Sequence, residues 1–328
     1  YWERVENSRN FANKVWNASR FIMMNMEGKT LYAPAAEELV PVDKWILSRL
    51  NSLVKEATDN MESFELGIAV QKVYDFIWDE FCDWYIEMVK PRLYAGKGRT
   101  EPECDREVAS RNAALWTLKT VLTDALKLLH PYMPFITEEI FCTLQGADGE
   151  ESIMIASWPE YREEWNFAQE EYAIQMIKEA VRGIRNVRAD MNVPNSKKAT
   201  VYVVSENPQV RKIFEEGRSF FAVLGAASEV LVQADKTGIA DNAVSVMIPE
   251  AAVYMPLSEL LDIGKEKERL KKEEARLEKE LARVNGMLGN ERFVSRAPAS
   301  KIQEEKAKLE KYTQMMDQVK ERLAQLGE

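Results

Sequence analysis

A chain of 328 residues with 46% hydrophobic and 30% charged side chains is globular, and long enough for two or three cores. Its net charge of −10 excludes a surface coated in basic patches, though not a local one. No apolar run approaches the ~20 residues that cross a bilayer, and one histidine with three scattered cysteines, Cys82, Cys104 and Cys142, supplies no four-ligand zinc set. A cytoplasmic protein with buried free thiols, no metal and no membrane partner is expected. Tyr1 opens the chain with a helical pattern already running, so it reads as a piece of something longer.

In the opening helix, Phe11, Val15, Ala18 and Ile22 recur on one face, which predicts a buried stripe. Arg9, Asn13, Trp16 and Arg20 fall opposite, and Asn10, Lys14, Asn17 and Phe21 share one flank. Cations, amides and rings on one surface suit phosphates, base edges and unpaired bases. An ordinary amphipathic helix with a solvated polar side shows the same pattern, so the stretch alone does not decide.

Pro41 restarts the helical period to about residue 61, and a third helix is predicted over 66–93. The third carries Tyr74, Phe76, Trp78, Phe81, Trp84 and Tyr85, mostly core, and the carboxylates Asp75, Asp79, Glu80, Asp83 and Glu87, read as a solvated face. A polar break at 96–103 precedes a fourth helix that stops at His130-Pro131, where prolines make a corner before the helix from Phe135. Nothing near His130 resembles a nucleophile or second ligand, so it reads as a corner residue.

Residues 152–158 read as a short extended segment and 168–189 as a helix. The period then changes to two: strands are predicted at 200–204, 229–232, 244–248 and 252–255, with helices at 208–216 and 219–224 between them. From residue 260 a heptad pattern takes over. Ile263, Leu270, Leu277 and Val284 fall at sevens, as do Ile302, Leu309, Met316 and Leu323, with Tyr312, Val319 and Leu326 on the companion seam. A turn between Gly289-Asn290 and Ala297-Pro298 makes the two helices antiparallel, with Leu277 against Tyr312 and Leu281 against Leu309, in an arm about 45 Å long. Lys267 and Glu274 occupy seam positions, which predicts loose packing at the base and room for the arm to swing. Residues 258–328 carry 16 basic against 15 acidic residues, a net of +1, which leaves −11 for residues 1–257. The arm is the less acidic part.

Four stretches carry a resemblance. N-F-A-N-K-V-W-N-A-S-R-F at 10–21, L-L-H-P-Y-M-P-F-I-T-E-E-I at 128–140, I-R-N-V-R-A-D-M-N-V-P-N-S-K-K at 184–198 and N-E-R-F-V-S-R-A-P at 290–298 resemble the valyl-tRNA synthetases, in order and nearly end to end. The first three occur more loosely in isoleucyl and leucyl relatives; the last selects the valyl family.

The resemblance implies a mainly α fold: a helical bundle of the class I synthetase anticodon-binding type at 1–190, a small α+β connecting unit at 191–257, and a long antiparallel coiled-coil hairpin at 258–328 that binds tRNA. It further implies an anticodon surface of Arg9, Lys14, Asn17 and Phe21, with Lys14 on a phosphate or base edge and Phe21 stacked on a base. It places Arg276, Arg283, Arg292, Arg296 and Lys301 at the tRNA elbow, although ion pairing between the arm helices would use the same arginines. The implied partners are valine tRNA and the enzyme's own N-terminal catalytic domain, in a monomer. The H-I-G-H and K-M-S-K-S signatures are missing from this sequence. ATP and magnesium would therefore act in the catalytic domain, and this piece alone would neither activate valine nor edit. A structural protein whose arm docks protein partners is the rival reading; an enzyme in its own right has no nucleophile-base pair or phosphate loop to support it.

Overall fold

The structure is a computed structural model and describes residues 2–95, 104–145, 152–261, 263–290 and 298–325. The polar break at 96–103, Arg292 and Arg296, and most of the F-V-S-R-A-P turn lie outside the described residues. The chain divides into two compact units, Tyr1–Glu179 and Ala180–Glu328.

The first unit is a helical bundle of α1 (Trp2–Met26), α2 (Pro41–Glu62), α3 (Leu66–Asp75), α4 (Ile86–Tyr94), α5 (Asp105–Leu129) and α6 (Pro134–Gln145), completed by the first half of α7 (Ala168–Asp190). The stripe of Phe11, Val15, Ala18 and Ile22 is buried, because that is the apolar face of α1. Pro41 sits in the first turn of α2, where its missing amide costs nothing. The predicted third helix is continuous but not uniformly α: Phe76–Tyr85 between α3 and α4 is π-helical. Phe76, Phe81, Trp84 and Tyr85 are buried, while Tyr74 and Trp78 are half-buried and stack in line with Phe11, with centroid distances of 4.4 Å for Phe11–Tyr74 and 5.7 Å for Tyr74–Trp78.

Two readings of this unit need correction. Residues 152–158 are not an extended segment: Ser152 accepts from the Met154 amide and caps a single 3-10 turn at Ile153–Ile155. The thiols are not all buried either, since Cys104 is exposed and Cys142 half-exposed. Burial pushes the Cys82 thiol up to about 12, so at pH 8 a thiol reagent should modify Cys104 quickly and Cys82 only on unfolding. Rapid labelling of Cys82 in the native chain, read by peptide mass, would contradict its placement.

His130 ends α5, and its Nδ1 lies 2.7 Å from the Thr137 hydroxyl. Because that hydroxyl donates to the Met133 carbonyl at 2.8 Å, the ring is left to donate. The histidine fastens the corner.

The second unit takes the rest of α7 and a four-stranded sheet of β1 (Ala199–Val204), β2 (Ala227–Gln233), β3 (Val244–Ile248) and β4 (Ala251–Met255) in the order β2-β1-β4-β3. β1 and β2 are parallel, joined through α8 (Pro208–Glu216) and α9 (Arg218–Leu224), and the other pairings are antiparallel. β1 alternates buried and half-buried side chains, whereas every residue of β4 is buried. A Cβ on Gly183 of α7 would collide with Val246 of β3, so glycine there lets helix and sheet meet.

After the short α10 (Leu257–Leu260), α11 (Ile263–Leu288) and α12 (Ala299–Gln325) pack along each other. Leu270, Leu277, Val284 and Met316 are buried. Val319 and Leu323, late in α12, pack on Leu257 of α10 and Leu270 in the first part of α11, so the helices run antiparallel. Arg276 lies within electrostatic reach of Tyr312, and Arg283 of Glu305 and Tyr312, as an antiparallel pairing of the two helices allows. The base of the arm is tighter than Lys267 and Glu274 implied, because Met191, Val244 and Leu261 also pack on the Leu257–Leu270 pair. The weak layer lies farther out: Glu305 occupies the seam position seven before Tyr312, is 2% exposed, and pairs through one oxygen with Lys308 at 2.9 Å while the other has no partner.

Candidate nucleic-acid interface

Along α1 the flank residues Asn10, Lys14, Asn17 and Phe21, joined by Asn13 from the face expected opposite the stripe, line one wall of a cleft of about 510 Å³, and Cys82, Asp83, Ile86, Glu87 and Lys90 line the other. Helical spacing sets the first wall, because positions 10, 14, 17 and 21 recur every three or four residues. The buried stripe beside it fixes how α1 is rolled, so this flank must face the opening.

Charge in the cleft is paired and set against rings. The Lys14 ammonium lies 2.6 Å from Asp83 Oδ1 and 3.8 Å from the centre of the Trp78 ring. Lys90 contacts Glu87 Oε1 at 2.5 Å and sits 5.7 Å from the Phe21 ring. Phe21 is half-buried, with one part held by the protein and another open to the cleft. Such a surface is poorly suited to a run of phosphates, which would meet Asp83 and Glu87. It suits bases: amides and carboxylates accept from amino and imino groups on their edges, and a ring offers a stacking face.

Of the four residues assigned to this surface, Lys14, Asn17 and Phe21 come together and Arg9 does not. Its guanidinium stays exposed and pairs with Glu6 at 3.0 Å. Asp83 and Glu87 belong to the carboxylates expected on a solvated face, and the structure adds Lys90 to them in the cleft wall. The in-phase spacing of 83, 87 and 90 was the available signal, since charges at i, i+4 and i+7 share one helical face.

On the arm, Arg276, Arg283 and Lys301 are exposed, and each is paired within its own helix: Arg276 with Glu273 at 2.5 Å, Arg283 with Glu280 at 2.9 Å and Lys301 with Glu304 at 2.8 Å. The ion pairing between helices considered for these cations is thus replaced by pairing along each helix. Exposed pairs of this kind are weak and exchangeable, which leaves the cations available to a phosphate chain. Among the described residues no group of histidine, cysteine and acidic side chains could hold a metal ion, and no helix is long and apolar enough to cross a membrane.

Two protein families match the chain: the anticodon-binding domain of tRNA ligase over residues 43–203, and the valyl tRNA synthetase tRNA binding arm over residues 262–327. The chain is 47% identical to the valine–tRNA ligase of Clostridium acetobutylicum over 325 residues and 48% identical to that of Clostridium perfringens over 325 residues. The chain belongs to the valyl-tRNA synthetase family. With the valine–tRNA ligase of Carboxydothermus hydrogenoformans the identity is 37% over 327 residues. These alignments take in 99 to 100% of the chain but only 35 to 36% of each relative, so the chain spans about a third of the synthetases it matches. What it contains is the family's tRNA-binding C-terminal region, with the anticodon-binding and arm domains in order. The wall of the cleft carrying Asp83, Glu87 and Lys90 falls inside the matched anticodon-binding domain, and α1 lies just ahead of it.

Proposed function

We propose that this chain serves a valine–tRNA ligase by holding valine tRNA at two places. The bundle cleft takes unpaired anticodon bases, with Phe21 as the stacking face, Asn17 on a base edge, and the Lys14–Asp83 pair offering both a donor and an acceptor. The arm lies along the elbow, where Arg276, Arg283 and Lys301, together with Arg292 and Arg296, exchange their carboxylates for phosphates. Activation of valine, with its ATP and magnesium, belongs to the catalytic domain of the same monomer in the cytoplasm, and this chain contributes recognition only.

What supports the reading most is the convergence of Lys14, Asn17 and Phe21 with two lysine–carboxylate pairs in one cleft of about 510 Å³. Phe21→Ala should weaken binding of valine tRNA by ~1–3 kcal/mol, the worth of one lost base stack, and reduce its advantage over other tRNAs. Anisotropy competition between valine and non-valine tRNAs reads both quantities. Unchanged affinity and unchanged preference would reject the cleft as the reading surface. Binding that ignores salt would instead favour a scaffold that docks proteins.

A further inference from the structure

A second cavity, of about 580 Å³, lies in the Ala180–Glu328 unit beside the C-terminal end of α7 and the turn between α9 and β2. Its polar lining is Arg185, Arg188, Asn195 and Lys198, completed by small and apolar residues from Ala222 to Ala226, and none of the lining residues is acidic.

Arg188 is the unusual member. It is 3% exposed, and one nitrogen, Nη2, donates to the carbonyls of Pro194 at 2.9 Å and Lys197 at 2.5 Å. Its Nε and Nη1 are buried without a hydrogen-bond partner, which leaves three of its five N–H bonds without an acceptor. Burial lowers its pKa from the ordinary guanidinium value, yet a guanidinium stays charged at any physiological pH. Buried N–H bonds of a charged head that lack acceptors are costly unless something supplies them. Arg185, whose Nε donates to the Leu224 carbonyl at 2.8 Å, holds a second guanidinium at the same wall, and Lys198 stands exposed at the rim. The carbonyl contacts fix the Arg188 head at the wall of the cavity that its side chain lines, and a guanidinium matches the geometry of an oxyanion well.

We propose that this cavity is a binding site for a phosphate group, with Arg188 as its buried donor and Arg185 and Lys198 as its outer cations. The group comes either from a tRNA backbone phosphodiester or from free phosphate, and the site lies apart from both the anticodon cleft and the arm. The phosphodiester source rests on the tRNA-binding reading; the anion site itself does not.

The test uses the 328-residue chain, deuterated and with ¹⁵N-labelled arginine, titrated with inorganic phosphate at constant ionic strength. The Arg188 Nε–H signal, assigned by its loss in Arg188→Lys, should shift saturably, and sodium chloride alone should not move it. Lys198→Gln, at an exposed position that leaves the fold intact, should weaken the phosphate titration severalfold. In a parallel titration, tRNA should move the same signal in competition with phosphate, and Lys198→Gln should lower the log–log salt slope of tRNA binding by about one unit. A phosphate shift without a tRNA shift would assign the site to free phosphate. Loss of all tRNA binding with the phosphate shift intact would count against the tRNA reading and leave the anion site standing. If neither ligand moves Arg188, or if Lys198→Gln leaves the phosphate titration unchanged, the proposal is overturned.

Discussion

Asp43→Ala is expected to destabilise the bundle by ~3–5 kcal/mol, the loss typical of removing one partner from a buried ion pair. Asp43 is 0% exposed and sits in the first turn of α2. Its Oδ1 accepts from Arg92 Nη1 at 2.7 Å and from the Tyr85 hydroxyl at 2.8 Å; its Oδ2 accepts from Arg92 Nη2 at 2.8 Å and from the Val40 amide at 3.3 Å. Arg92 also donates to the Ser110 carbonyl at 2.6 Å, so a single carboxylate ties together α2, the π-helical turn, α4 and α5. Burial first, and then the charge of Asp43, raise the Tyr85 phenol well above its ordinary pKa, so it remains a donor. Alanine would strand a largely buried guanidinium and the phenol together, whereas Asp43→Asn keeps the shape and some of the bonds and should cost less. Urea unfolding measures both variants. A loss under ~1 kcal/mol for alanine would mean that Arg92 finds water or another acceptor.

Leu277→Ala should cost ~2–5 kcal/mol and act on the arm alone. The heptads named Leu281 and Leu309 as a core pair, but both are half-buried, while Leu277 is 0% exposed. A cavity at Leu277 would fall between the same two helices that already bury Glu305. Amide exchange should quicken in α11 and α12 and stay unchanged in α2 and α5. If α2 and α5 lose protection in proportion, the arm and bundle unfold as one and the two units are not energetically separate.

What could be read in the sequence was what repeats. The stripe of Phe11, Val15, Ala18 and Ile22, the period-two run from Thr200 to Val204 and the sevens of Leu270, Leu277 and Val284 all follow from local geometry; the structure buries the stripe, the sevens and, within the strand, Val201 and Val203. What escaped were pairings between distant positions. Asp83 meets Lys14 across 69 residues and Arg92 meets Asp43 across 49, and nothing in either neighbourhood distinguishes such a carboxylate from a solvated one. Glu305 sits in the seam although its residue type argues against it. The cleft was half-legible for the same reason: its α1 wall is periodic, but the facing wall depends on how the helices pack. Arg188 lay within a stretch singled out only for its resemblance, and burial without an acceptor shows only in three dimensions. Gly183 is a legible signal of the α7–β3 contact, since a glycine inside a good helix marks a close approach.

In the proposed function the two surfaces divide the labour: the bundle cleft would tell bases apart, and the arm would add affinity. The direct measurement is the affinity of valine tRNA, and of the same tRNA with an altered anticodon, for the chain with and without residues 258–328, at two salt concentrations. Removing the arm should weaken both RNAs alike and flatten the salt dependence by about one unit of slope per lost phosphate contact, while the preference for the native anticodon survives. If the preference disappears with the arm, the cleft of Lys14, Asn17 and Phe21 is not where the anticodon is read.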